Sequence, residues 1–444
     1  MNDFWKENMK KNILIAFSFV LILMLCFVGC SKKSEIEDLE VQVDEVVELS
    51  PEEIALEKYK FAIDEYVNSL SIEEKIGQMF LVTIGGTEFY DSYYDLESFI
   101  APGGYLLFAY NFNDGFQTIK FTSDIENWYA KNNLIKPYFS VDQEGGLVNR
   151  LRTVSAPLPS AFSVAKFLSN DKAKTLYDFA GKQISELGIH VNLGPVVEVL
   201  TDENAAFLDT RSFGDMEKVL EYSDIFVDSM LENGVYPVVK HFPGNNADDP
   251  HYGLPVIDFD YEKIESLLFK PFIELQKKDE VGVLVAHSVL SNMFAEEAIP
   301  ACLSKEIVTD VLKNQIGFNG LVFSDDLLMS ALQNNGYDSI SAISMAIRAG
   351  INVLMISQKE YLGFIDEIKI LYETDEEIKV KIDESVKKII DFKIDYGLIE
   401  YVDEKISLPN PYSNEELLEY QNAKNNSLMK TYEEAANFYH TYWG

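Results

Sequence analysis

The chain has 444 residues, 47% of them apolar and 13% aromatic, enough to bury one large core or two ordinary ones and too ordered a composition for a disordered protein. Its formal net charge is −36 and the body of the chain carries no basic cluster, which argues against nucleic-acid binding through phosphate neutralisation. An acidic surface keeps a protein soluble and weakens non-specific attachment to anionic surfaces.

At the N-terminus Lys6, Lys10 and Lys11 precede an apolar stretch from Ile13 to Val28, interrupted by Ser18, which ends at Gly29-Cys30 before the polar Ser31-Lys32-Lys33-Ser34. This is the pattern of a signal peptide over residues 1–29. The end of the stretch resembles a bacterial lipobox, which implies that Cys30 is lipidated and becomes the mature N-terminus. The expectation is an exported lipoprotein, held at the membrane of the cell envelope through Cys30. An uncleaved single span is the other reading, for which the stretch is short. Cys26 is then discarded and Cys302 stands alone, so no intrachain disulfide forms. Residues 30–60 read as an acidic stalk, with a helix start near Pro51-Glu52-Glu53.

Beyond the stalk, eight short apolar runs alternate with amphipathic stretches. The runs are Gln78–Gly85, Gly103–Tyr110, Tyr138–Gln143, Ile189–Val196, Tyr236–His241, Val281–Ser288, Gly320–Ser324 and Ile351–Ile356. Helical spacing marks Thr175–Leu187, Val219–Leu231, Ile264–Leu275 and Ile307–Leu312 between them. Gly188, Gly234, Gly317 and Gly350 stand where helices must stop in a left-handed turn. Eight strand-then-helix units predict an α/β fold, a (β/α)8 TIM-type barrel over residues 61–400. An open doubly wound sheet is the competitor, because a strand count does not show closure. Asp142, Asn192, Lys240-His241, His287 and Asp325 each fall at or just after the end of a run, so a barrel would gather them on one rim.

Four segments carry the chemistry: Asp142-Gln143-Glu144-Gly145-Gly146 with Arg150, Arg211-Ser212-Phe213-Gly214, Lys240-His241-Phe242-Pro243-Gly244 and Ser324-Asp325-Asp326. In this order they resemble glycoside hydrolase family 3, in its single-barrel β-N-acetylhexosaminidase branch, over about Ser71 to Ile356. The resemblance implies that Asp325 is the nucleophile of a retaining mechanism, a role a carboxylate at a strand end can fill. Taken alone, Asp325 could equally cap a helix over the segment that follows. His251 is the implied general acid/base, suited to the task by an ordinary pKa near neutrality. Asp249 would hold its ring, since residues two apart share a side in an extended segment.

The Gly244 to Asp249 loop is about two residues shorter than in the family, and Pro250 stands where the family usually has serine. The resemblance assigns sugar contacts to Asp142, Arg150, Arg211, Lys240 and His241, with His287 close behind them. Leu147 stands where the family often has arginine, and Glu198 replaces the usual aspartate after Pro195.

These readings imply an exo-acting hexosaminidase that removes terminal β-linked N-acetylglucosamine from peptidoglycan fragments or related glycans. Phosphate could serve as the attacking group at the same site, since a neutral imidazole repels an anion less than a carboxylate does. A barrel that binds glycans without cleaving them is the alternative from another class. No His/Cys/Asp set has metal-ligand spacing and no glycine-rich phosphate loop follows a strand, so neither metal nor cofactor is expected. After Glu360 the pattern turns helical, and residues 401–444 read as a helical tail.

Overall fold

A computed structural model describes residues 49–246, 253–278, 280–293, 299–356 and 361–443. The compact unit is Ala55–Gly444. Its eight central strands are β1 (Phe80–Thr83), β2 (Gly104–Leu107), β3 (Tyr138–Val141), β4 (Val191–Asn192), β5 (Tyr236–Phe242), β6 (Gly282–Val285), β7 (Val322–Ser324) and β8 (Leu354–Ile356). All pair in parallel in chain order, and β1 pairs with β8 at Phe80 and Leu354. The parallel bridge between Phe323 and Val353, with the amide of Ser324 donating to the carbonyl of Val353 at 2.9 Å, joins β7 to β8. The ring is therefore closed, and the open sheet is ruled out.

The helices used below are α1 (Pro51–Ser69), α2 (Ile72–Met79), α3 (Gly115–Lys131), α4 (Asn170–Glu186), α5 (Met216–Glu232), α6 (Ser339–Ala349), α7 (Leu362–Thr374), α8 (Glu376–Asp395) and α9 (Asn414–Tyr442). Their starts follow local chemistry: Asp114, Asp215 and Asp338 each accept an amide of the first turn of α3, α5 and α6. Ser71 with Glu74 and Ser413 with Glu416 form reciprocal caps on α2 and α9. Gly188, Gly234, Gly317 and Gly350 all adopt positive φ, between 70° and 100°, as the four predicted helix stops require.

Every residue of the eight strands is buried and most are apolar, as a sheet covered by helices outside and filled by side chains inside requires. The connection from β1 to β2 departs from the alternation, because its only helical element is one turn at Asp91–Tyr93. The tail opens with a hairpin of Glu400–Val402 and Lys405–Ser407 before α9 lies against α3 and α4. No helix among the described residues is long and apolar enough to cross a membrane.

Candidate active site

Asp142 follows the last residue of β3, and the chain then folds into a small hairpin, Gln143–Gly145 against Val148–Asn149. A Cβ at Gly145 would lie 2.2 Å from the Pro159 carbonyl, and one at Gly146 would lie 2.5 Å from the Ser160 side chain. Only glycine lets this hairpin close against the barrel. Asp142 and Glu144, two residues apart, share a side and meet the same cation. The Lys240 ammonium lies 2.6 Å from Asp142 Oδ1 and 2.7 Å from Glu144 Oε1.

Glu144 also receives a forked pair of hydrogen bonds from Arg211, both of 2.9 Å. His241 Nδ1 stands 2.6 Å from Glu198 Oε1, and the amide of Asn245 donates to the other oxygen at 2.6 Å. The other ring nitrogen of His241, Nε2, stands 3.5 Å from the Arg211 guanidinium.

The cluster holds its own charge states. Burial alone would raise the Glu144 carboxyl, but Lys240 and Arg211 override it and bring its pKa down to about 2. Burial likewise works against the Lys240 cation, and Asp142 and Glu144 more than restore it. Glu198 is lowered against burial by its bond to His241.

Asp325 stands just past β7 and its segment is tied to both neighbouring strands. Its amide donates to the Val285 carbonyl at 2.9 Å, and the Leu327 amide to that of Met355 at 3.0 Å. The Asp326 amide donates to Asp325 Oδ1 at 2.8 Å, and Leu328 to Asp326 Oδ1 at 3.1 Å. The following helix begins later, at Ser330, so Asp325 does not cap it.

The fully buried His287 ring lies 2.9 Å from the Asp326 carbonyl through Nε2 and 3.1 Å from Cys302 Sγ through Nδ1. A carbonyl can only accept, so the ring carries a proton on Nε2, while Nδ1 faces the Cys302 thiol. Burial would raise Asp325, but His287, His241, the Asp326 amide and Lys240 together hold it below its usual value. A carboxylate kept ionised beside cationic and hydrogen-bonding groups is what nucleophilic attack needs.

Arg150 lies over the Phe108 ring at 5.8 Å, and its buried Nε has no hydrogen-bond partner among the described residues. The structure thus brings Asp142, Arg211, Lys240 and His241 into one cluster, and places Asp325 within electrostatic reach of Lys240 and His241. His251 and Asp249 lie outside the described residues, as does Cys30. Glu144, Glu198 and Cys302 have roles the sequence reading did not assign. The signal for Glu144 was available in its spacing from Asp142, whereas those for Glu198 and Cys302 were tertiary. Among the described residues no group of three His, Cys, Asp or Glu side chains is disposed to hold a metal ion.

The model of the glycosyl hydrolase family 3 N terminal domain matches residues 71–392, from the cap of α2 into α8. The chain is similar to the beta-hexosaminidase LpqI of Mycobacterium tuberculosis, at 31% identity over 265 residues, 57% of this chain and 67% of the relative. It is also similar to beta-hexosaminidase A of Pseudoalteromonas piscicida, at 29% identity over 272 residues. That match covers 57% of this chain and 45% of the relative, so the chain spans less than half of that protein. The solved structure of M. tuberculosis LpqI superposes with a TM-score of 0.66 at 27% identity, covering 74% of this chain and 96% of that one.

Proposed function

Because the chain belongs to glycosyl hydrolase family 3, we propose that it is a retaining exo-β-N-acetylhexosaminidase, removing terminal β-linked N-acetylglucosamine from peptidoglycan fragments or related glycans. The observation that carries this reading is the closure of the barrel around one mouth, where Asp325 is held ionised near the Asp142, Glu144, Arg211, Lys240 and His241 cluster. The relatives that bear the name beta-hexosaminidase support the substrate class.

In this reading Asp142, Lys240, Arg211, His241 and Arg150 exchange hydrogen bonds with the hydroxyl and acetamido groups of the terminal sugar. Asp325 attacks the anomeric carbon; its oxygen forms the new bond as the glycosidic C–O bond breaks. His251, oriented by Asp249, gives its proton to the departing oxygen. It then takes one from the water that displaces Asp325, returning the enzyme to its starting state. The same reading includes export, a lipid anchor on Cys30, and division into signal (1–29), stalk (30–60), barrel (61–400) and tail (401–444).

Turnover of an aryl β-N-acetylglucosaminide tests it. Asp325→Ala and His251→Ala should each lose roughly 10³-fold or more in kcat, as removal of a residue from a cooperating catalytic set does. Equal background rates in the three proteins would favour the glycan-binding barrel. A fluorinated sugar should leave a covalent adduct on Asp325 by mass spectrometry, and an adduct elsewhere would reject that role. Labelled palmitate should enter the wild type and not Cys30→Ala.

A further inference from the structure

The side chains of the mouth stand at the carboxyl ends of the strands, and the opposite end of the barrel carries a second polar cavity. It holds about 600 Å³, the size of a small-molecule site. Lys136 before β3, His190 before β4 and Glu280 before β6 line it, together with Asp395 at the end of α8. The tail supplies the remaining wall through Tyr412 and α9. That wall is fixed: Tyr412 stacks on Tyr420 at 5.6 Å, and Asn127 of α3 accepts the Tyr412 amide at 2.7 Å and donates to its carbonyl at 3.3 Å.

Charge in this cavity is sorted by sign. Lys136 and Lys424 both act on Glu126 and on His190, whereas Asp395 lies in the field of Asp391 and Glu280. The inner group is not closed by hydrogen bonds of its own. His190 Nε2 is 3.6 Å and Lys136 Nζ 4.0 Å from the Glu126 carboxylate, which accepts no hydrogen bond among the described residues. The amide of Phe139 donates to His190 Nδ1 at 3.2 Å, so the neutral ring carries its proton on Nε2, the nitrogen nearer Glu126. Burial, with Lys424, Lys136 and Lys393, brings the His190 pKa down to about 3 and keeps the ring neutral. Two ammonium groups and an imidazole N–H thus offer donors at the inner end, and two carboxylates stand at the rim. Burial raises Glu126 to about 7 against the pull of the lysines, so it takes up a proton at little cost when an anion arrives. At the rim, burial with Asp391 and Glu280 raises Asp395 to about 6, a carboxyl that a cation would relieve.

We infer that this cavity binds a small zwitterion, a free amino acid or a short peptide, with its carboxylate between Lys136 and Lys424 and its ammonium at Asp395 and Glu280. The site lies at the end of the barrel away from Asp325, and the inference does not depend on the glycosidase reading.

Calorimetric titration of the wild type with alanine, dialanine and trialanine tests it, because the three differ in the separation of their end charges. At least one should bind with a Kd of about 1 mM or tighter. Acetylating the amine of that probe, or amidating its carboxylate, should each weaken binding about tenfold or more, the scale of one charge-assisted hydrogen bond. Lys424→Ala should weaken the free-ended probe by a similar factor. Asp395→Asn should do the same, yet leave the weaker binding of the acetylated probe within about twofold. Lys424 is half-buried and Asp395 exposed, and a thermal melt checks that each variant folds. Either variant alone locates the site, so the loss of one to misfolding leaves the test decisive. No binding by any of the three probes overturns the inference, as does equal binding of free and blocked forms. Binding that is unchanged in the variants puts the probe elsewhere on the protein and overturns it as well.

Discussion

Lys240 is buried among groups that cannot all be removed without leaving a charge uncompensated. Its ammonium joins Asp142 to Glu144, and Glu144 in turn holds Arg211. Glu144→Gln keeps the shape but strips the shared counter-charge from two cations, a change that costs about 3–5 kcal/mol for a buried pair. A urea titration should show a midpoint lowered accordingly. The pH dependence follows from the carboxyl being brought down from 4.5 to about 2 in the fold. Such a group contributes stability that is fully present above pH 4.5 and is lost as pH falls from there toward 2. The wild type should lose unfolding free energy below pH 4.5 more steeply than Glu144→Gln in the same titration. Asp142, Lys240 and Asp325 were legible in the sequence because each ends an apolar run. Glu198 was not, since its partner His241 lies on the next strand and only the pairing of β4 with β5 brings them to 2.6 Å.

Elements were legible where a local rule fixed them and blurred where a distant contact did. The stop at Gly350 needs φ of 100°, and a Cβ there would lie 2.9 Å from Thr309 Oγ1. Gly350→Ala should therefore lower stability by about 1 kcal/mol or more, read as a shift of the thermal midpoint at unchanged cooperativity. By contrast the run Ile189–Val196 yields a strand of only Val191–Asn192, because the chain turns at Gly194-Pro195, where proline offers no amide to a ladder. The hairpin at Glu400–Ser407 was missed because three alternating residues on each side are too few to show a period. A helical pattern in the tail does not by itself say what the helix packs against. Leu428 settles it, buried where a Cβ on Gly115 would touch its Cδ2, while Gln421 donates to Ser123 on α3 and Thr431 to Glu186 on α4. Leu428→Ala should cost about 2–5 kcal/mol by leaving a cavity between α9 and α3, measured by denaturant unfolding. Aryl-glycoside turnover at 25 °C should be retained, since α9 touches the outer helices and not the mouth.

Across the whole molecule the net charge of −36 sets a field that no single residue carries. Closure of the barrel belongs to this scale too, because it depends on β1 meeting β8 from the far end of the domain, which no local pattern encodes. The field acts on function through the kind of glycan that approaches. Fragments of a cell wall that still bear peptide carry carboxylates, and a strongly acidic surface repels them, whereas a neutral amino-sugar oligomer feels no such force. Raising salt from about 10 mM to about 150 mM shortens the screening length from about 30 Å to about 8 Å. Over that range kcat/KM for a carboxylate-bearing substrate should rise several-fold, while that for a neutral oligomer of equal length should stay flat. The ion pairs of the mouth are buried and screened little, so they do not imitate the effect. Equal salt dependence for the two substrates would mean that the charge is spread away from the path of approach.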